Sequence, residues 1–126
     1  MLTQEQKDKL EPLTKHERFG KLLIDAIKAW NNEARPTKGS YGVMSTNKDI
    51  YDFFHNDKSC CLIGASLYGK CIPYSDGYSS SIYKIYSVSD VEMNGIIHGF
   101  DSSVEFSDFQ SEAYKFGNDV AKIVLC

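Results

Sequence analysis

A mainly α fold of five or six short helices is predicted for this chain, and three observations predict it. Capping residues recur ahead of apolar residues spaced three and four apart, glycine and proline punctuate the stretches between, and strand-like alternation is confined to one short segment. The length of 126 residues, against roughly 100–200 per domain, gives a single compact domain over residues 1–126. With 42% hydrophobic, 25% charged and 13% aromatic residues, the composition excludes the disordered, collagenous and coiled-coil classes.

Thr3-Gln4-Glu5-Gln6 is a Thr-x-x-Gln capping box that starts a short helix ending near Leu10. Thr14-Lys15-His16-Glu17 is a second box. After it, Phe19, Leu22, Leu23, Ala26, Ile27 and Trp30 share one helical face, the longest apolar stripe in the chain and the expected centre of the core. This helix ends around Asn31-Asn32, because Pro36 drives Arg35 out of the helical region. Residues 37–43 read as a loop. Thr46 caps a two-turn helix carrying Ile50, Phe53 and Phe54. Asp57 caps another carrying Cys61, Leu62, Ala65 and Tyr68, with Gly69 as its C′ stop, Lys70 near the terminal carbonyls and Pro73 beyond. Residues 73–81 form a Ser/Gly/Tyr-rich loop. In 82–88, Ile82, Lys84, Tyr86 and Val88 alternate with Tyr83 and Ile85, which admits one small hairpin and an α+β class. Ser89-Asp90-Val91-Glu92 is a further box, stapled by Val88 and Met93, with Ile96, Ile97 and Phe100 continuing the stripe and Gly99 placed to end it. Ser107 with Gln110 opens the last helix, whose face is Ala113, Gly117, Val120, Ala121 and Val124.

No uncharged stretch approaches the roughly 20 residues of a bilayer span, and the polar N-terminus lacks the apolar region of a secretion signal. Cys60, Cys61, Cys71 and Cys126 are therefore expected as reduced thiols in a cytoplasm. The formal charge of −3 is segregated: residues 1–38 hold eight Lys/Arg against six Asp/Glu, and the rest hold six against eleven. Residues 85–114 contain no Lys or Arg but include Asp90, Glu92, Asp101, Glu105, Asp108 and Glu112. Such a segment repels a phosphate backbone and attracts a basic protein. Asp90, Glu92 and Asp108 fall in helix first turns, where the dipole accounts for them. Asp101, Glu105 and Glu112 are left without a local duty, and they are the expected contacts to a protein partner with a basic surface.

Three constellations bear on chemistry, and each has a plainer explanation. Gly64-Ala65-Ser66-Leu67-Tyr68-Gly69-Lys70-Cys71 matches the phosphate-cradling G-x-x-x-x-G-K-[ST] loop except at Cys71, where a soft thiol replaces the oxygen ligand a hard cation needs. A short helix with a glycine stop explains the same residues. Asp101, Ser103, Glu105, Ser107, Phe109 and Glu112 fall at calcium-loop positions, but Phe106 stands where the sharp turn demands glycine. A polar connection between helices is the simpler account. His55, Cys60, Cys61 and Cys71 lack zinc-knuckle spacing, and cysteines in an apolar helix serve as small core residues. No catalytic residue, metal or cofactor is expected. His98 beside Gly99 suits the carbonyl end of a helix. Trp30, Phe53, Phe54, Tyr74, Tyr78, Tyr83 and Tyr86 lack the interleaved arginines of a base-stacking platform, which favours core packing or a protein-binding surface.

Ser59-Cys60-Cys61-Leu62-Ile63-Gly64-Ala65, Asn94-Gly95-Ile96-Ile97-His98-Gly99-Phe100-Asp101 and Ala113-Tyr114-Lys115-Phe116-Gly117 together resemble small phage and prophage proteins. Those share a Cys-x-[LIV]-Gly-Ala helix, a Gly-Phe-Asp helix end and an Ala-Tyr-x-hydrophobic-Gly helix. The resemblance spans residues 59–117 and implies an origin rather than an activity; inhibition of a host enzyme or immune effector is the role it would imply. Two functional expectations result: a small cytoplasmic non-enzymatic protein acting through protein–protein interaction, and, as the alternative, an enzyme or sensor binding a small phosphorylated ligand or nucleotide near residues 64–71.

Overall fold

The computed structural model of the chain describes residues 2–32, 34–37, 59–70, 78–102 and 111–125. Helix α1 (Gln4–Leu10) begins with both halves of its capping box: Gln6 N–H donates to Thr3 Oγ1 at 3.1 Å and Thr3 N–H to Gln6 Oε1 at 2.8 Å. A 3-10 turn (Glu11–Lys15) with Pro12 in its first positions leads to α2 (Gly20–Asn32). The box expected at Thr14 and Glu17 does not form. Pro12 carries the helical turn through Thr14, whose hydroxyl donates to the Glu11 carbonyl at 2.6 Å. His16 is the extended residue instead (φ −58°, ψ 130°), and its Nδ1 accepts the N–H groups of Arg18 and Phe19, each at 3.1 Å. The stripe itself is as predicted: Phe19, Leu22, Leu23, Ala26 and Trp30 are buried, and Ile27 packs against them half-buried.

Two short strands, β1 (Arg35–Pro36) and β2 (Ser59–Cys60), pair in parallel. Trp30 Nε1 donates to the Cys60 carbonyl at 3.4 Å, tying the pair to α2. The helix expected after Thr46 and the Asp57 cap lie outside the described residues. Helix α3 (Leu62–Gly69) starts at Cys61, whose Sγ accepts the Gly64 N–H at 3.5 Å. Leu62, Ile63, Ala65, Ser66 and Leu67 are all fully buried, so α3 is apolar nearly all round and runs through the centre, packed along α2 and touching a later helix.

Residues 82–88 are not a hairpin. They fall largely in α4 (Tyr78–Tyr86), which ends where Ser87 turns to φ 57°. Ile82 and Tyr86, four apart, are buried while Tyr83 is exposed, so period 3.6 wins over period 2. Alternation would have put Lys84 on the same face as Ile82 and Tyr86. Helix α5 (Asp90–Asp101) opens with the Ser89/Glu92 box complete, and Val88 and Met93 are buried as its staple. It does not stop at Gly99. It continues to Asp101 and closes on Ser102 in the left-handed region (φ 58°). Gly99 serves packing: a Cβ there would stand 2.1 Å from the Tyr114 carbonyl oxygen on α6 (Glu112–Val124). Gly117 answers it, since its Cβ would lie 2.2 Å from the Ile96 oxygen. Helix α6 is capped by Ser111, whose Oγ accepts the Tyr114 N–H at 3.0 Å; Ser107 and Gln110 lie outside the described residues.

The buried side chains form one cluster. Trp30 stacks on Phe100 (centroids 6.0 Å apart) and Phe19 meets Phe116 (5.3 Å), joining α2 to both α5 and α6. Outside this cluster, Arg18 grips Glu92 through two bonds of 2.8 and 2.6 Å, which holds the Glu92 carboxyl below the usual carboxylate range. Among the described residues, no helix is long and apolar enough to cross a membrane.

Candidate functional site

Helix α2 carries one charge inside its apolar stripe. Asp25 lies three residues after Leu22 and four before Ala29, and it is 4% exposed. A buried carboxylate needs partners, and three elements supply them. From α4, the Tyr86 hydroxyl donates to Oδ2 at 2.6 Å. From α2 itself, Lys28 Nζ stands 3.4 Å from Oδ1, and from the end of α3, Lys70 Nζ stands 3.7 Å from Oδ2. Gly69 makes that third approach feasible: a Cβ there would fall 2.0 Å from the Asp25 carbonyl oxygen, so only glycine lets α3 end against the α2 backbone and deliver Lys70.

These groups line a cavity of about 360 Å³ together with Lys21, Ile24 and Ile85. Lys21 and Lys28 flank Asp25 at i−4 and i+3, the same face of α2. Among the described residues that line the cavity, three lysines accompany one carboxylate, so this lining carries a surplus of positive charge. Burial, and then the hydrogen bond and charge of Asp25, push the Tyr86 phenol well above its ordinary value, so it serves as a donor rather than a nucleophile. A second cavity of about 330 Å³ is lined among the described residues by Ser80, Tyr83, Lys84, Ser89 and Asp90, which set one lysine against one aspartate, with no buried polar side chain among these five.

Among the described residues, Cys60, Cys61, Ser66 and His16 are committed to the fold. Cys60 and Cys61 are buried and unbridged, and burial pushes both thiols up to about 12. Cys71 and Cys126 lie outside the described residues. Ser66 Oγ donates to the Ile63 carbonyl at 2.7 Å. His16 uses both ring nitrogens, with Nε2 2.8 Å from Glu112 Oε1, and stacks on Phe19. The described residues hold no group of three or more His, Cys, Asp or Glu arranged for a metal ion; His55 and calcium-frame residues 103–110 are outside them.

The short helix expected over residues 64–69 forms, and the phosphate-cradling loop of the alternative reading does not. Residues 64–69 belong to α3: the Ala65 and Lys70 amides bond back to the Cys61 and Ser66 carbonyls, the Gly64 amide is taken by Cys61 Sγ, and Lys70 lines the pocket over Asp25. Of the acidic trio, Glu105 lies outside the described residues. Asp101 sits half-buried at the end of α5, where its charge helps raise the Cys61 thiol. Glu112 has a local duty after all, opening α6 and pairing with His16. Of the described tyrosines, Tyr83 is 61% exposed and Tyr86 is buried against Asp25, while Tyr74 lies outside the described residues. Sequence reasoning missed Asp25, Lys21, Lys28 and Tyr86; the signal was a carboxylate at a stripe position flanked by lysines. No protein family, curated protein or solved structure matches the chain.

Proposed function

We propose that the chain is a small binding protein and sensor that takes up an anionic small molecule in the lysine pocket over Asp25. The carrying observation is the charge surplus among the described lining residues, where Lys21, Lys28 and Lys70 accompany one carboxylate already held by Tyr86. Its volume of about 360 Å³ suits a small ligand, since such sites measure roughly 300–1,000 Å³. A binding role accords with thiols, phenol and imidazole that are buried or hydrogen-bonded rather than poised for attack. A cytoplasmic setting accords with the unbridged Cys60 and Cys61. Thermal-shift titration with small phosphates, sulfates and carboxylates tests the reading. Saturable stabilisation that is lost in Lys70→Ala is expected, and no stabilisation by any of these anions would refute it.

A second reading keeps the acidic segment as the contact to a basic protein partner, as in a phage-encoded inhibitor of a host enzyme or immune effector. Its support is the exposure of Glu112, whose side chain remains 69% accessible beside His16. Affinity purification followed by joint reversal of Asp101, Glu105 and Glu112 to Lys tests it. Slower association with a flatter salt dependence is expected; unchanged association would remove this face from the interaction.

A further inference from the structure

We infer that the ligand of the lysine pocket is a small phosphate monoester bound as its dianion, and that Asp25 sets the charge the site requires. This rests on the reading of the pocket as an anion site and goes one step further. Among the described lining residues, three lysines less one carboxylate leave a surplus of two positive charges. A phosphate monoester near neutral pH carries about −1.5 to −2; a sulfate ester or a simple carboxylate carries one charge and leaves the surplus half met.

The geometry keeps the lysines available. Tyr86 makes the short bond to Asp25 at 2.6 Å, whereas Lys28 and Lys70 stand off at 3.4 and 3.7 Å, beyond the roughly 2.7–2.9 Å of a tight ammonium–carboxylate bond. Their side chains are 64% and 45% exposed, so both can swing toward an incoming anion while Asp25 stays satisfied by the phenol. Lys21 and Lys28 approach from α2 and Lys70 from the end of α3. Donors converging from separate directions suit the three terminal oxygens of a phosphoryl group better than the flat edge of a carboxylate. Ile24, 42% exposed, and half-buried Ile85 give the organic part of the ester an apolar wall.

Isothermal titration of the whole chain with phenyl phosphate, phenyl sulfate, inorganic phosphate and a phosphoserine pentapeptide separates the alternatives. Phenyl phosphate should bind on the order of tenfold more tightly than its sulfate analogue, because one extra charge faces several ammonium groups at close range. Lys21 is exposed, so Lys21→Ala should fold normally while bringing the two affinities together. Asp25→Asn, which keeps an acceptor for Tyr86, should tighten phenyl sulfate. Equal binding of phenyl phosphate and phenyl sulfate overturns this inference and leaves the anion site standing. Inorganic phosphate binding as tightly as phenyl phosphate makes free phosphate the ligand and overturns the ester. Tighter binding of the phosphopeptide overturns the small molecule, and no binding by any probe removes the site itself.

Discussion

Gly99→Ala adds one carbon where α5 crosses α6, and the crossing sets what that carbon costs. A Cβ at Gly99 would stand 2.1 Å from the Tyr114 oxygen and 3.0 Å from the Tyr114 Cα. A carbon approaches a carbonyl oxygen to about 3.3 Å, so the helices must part by roughly 1 Å. A gap of that size forfeits about a quarter to a half of the dispersion well between facing atoms. Ile96 and Phe100 on α5 and Phe116 and Val120 on α6 are all buried. Each contributes about 1.5–3 kcal/mol, so losing a quarter from four of them removes roughly 1.5–3 kcal/mol. Alanine returns about 1 kcal/mol of helix propensity over glycine, which leaves a net loss of about 0.5–2 kcal/mol. Urea denaturation followed by circular dichroism should show the midpoint falling by about 0.25–1 M, given a slope of roughly 2 kcal/mol/M. Asn94→Ala, exposed on the same helix, is the control and should be neutral or stabilising. If Gly99→Ala is as stable as that control, the two backbones do not approach as described and the packing account is wrong.

Leu23→Ala empties a fully buried position on α2 and should cost about 2–5 kcal/mol in the same assay; a negligible shift would place the core elsewhere. Cys60 and Cys61 rise from an ordinary value of about 9 to about 12 on burial, so the unfolded chain releases those protons first. Stability should be unaffected by them below about pH 9 and fall above it by about 1.4 kcal/mol per pH unit for each thiol. Cys60→Ala should visibly flatten that alkaline limb in pH-dependent melts, and an unchanged limb would contradict burial of the thiol. Glu92 is held below its ordinary range by Arg18, so its contribution is present above that range and lost as pH falls through the lowered value. Arg18→Ala should flatten the acid limb below about pH 4.5, and acid titration of the two proteins would coincide if the pair were idle.

Local rules carried the sequence reading as far as local interactions reach. The boxes at Thr3 and Ser89 involve residues three apart and no distant partner, and both formed as written. At Thr14 the same rule failed because Pro12 extended the preceding turn, and His16, absent from capping preferences, took the role with a ring nitrogen. Residues 82–88 satisfied two periods at once, and only the burial of Ile82 and Tyr86 together decided between them. Gly69 and Gly99 show a further limit. A glycine that stops a helix and a glycine that admits a neighbouring backbone look identical in sequence, and the neighbours that distinguish them are Asp25 and Tyr114, distant along the chain. The acidic trio was judged by its own segment, whereas the partner of Glu112 is His16.

Asp25 marks the place where the local rules break down for a physical reason. Withdrawing a carboxylate from water costs several kcal/mol even after the protein relaxes, and apolar replacement of buried ionic groups is often neutral or stabilising. Stability alone therefore gives little ground for an aspartate inside the α2 stripe. What Asp25 does provide is convergence. It holds the α4 phenol at 2.6 Å, draws Lys70 in from the end of α3, and depends on a glycine at 69 for that approach. Replacing it with leucine would fill the stripe but leave the Tyr86 hydroxyl without its short bond and the lysines without a common centre. The charge that weakens the helix as a packing element is the one that brings three helices together around a lysine-lined pocket, which is why a residue unfavourable to the core suits the floor of the proposed anion site.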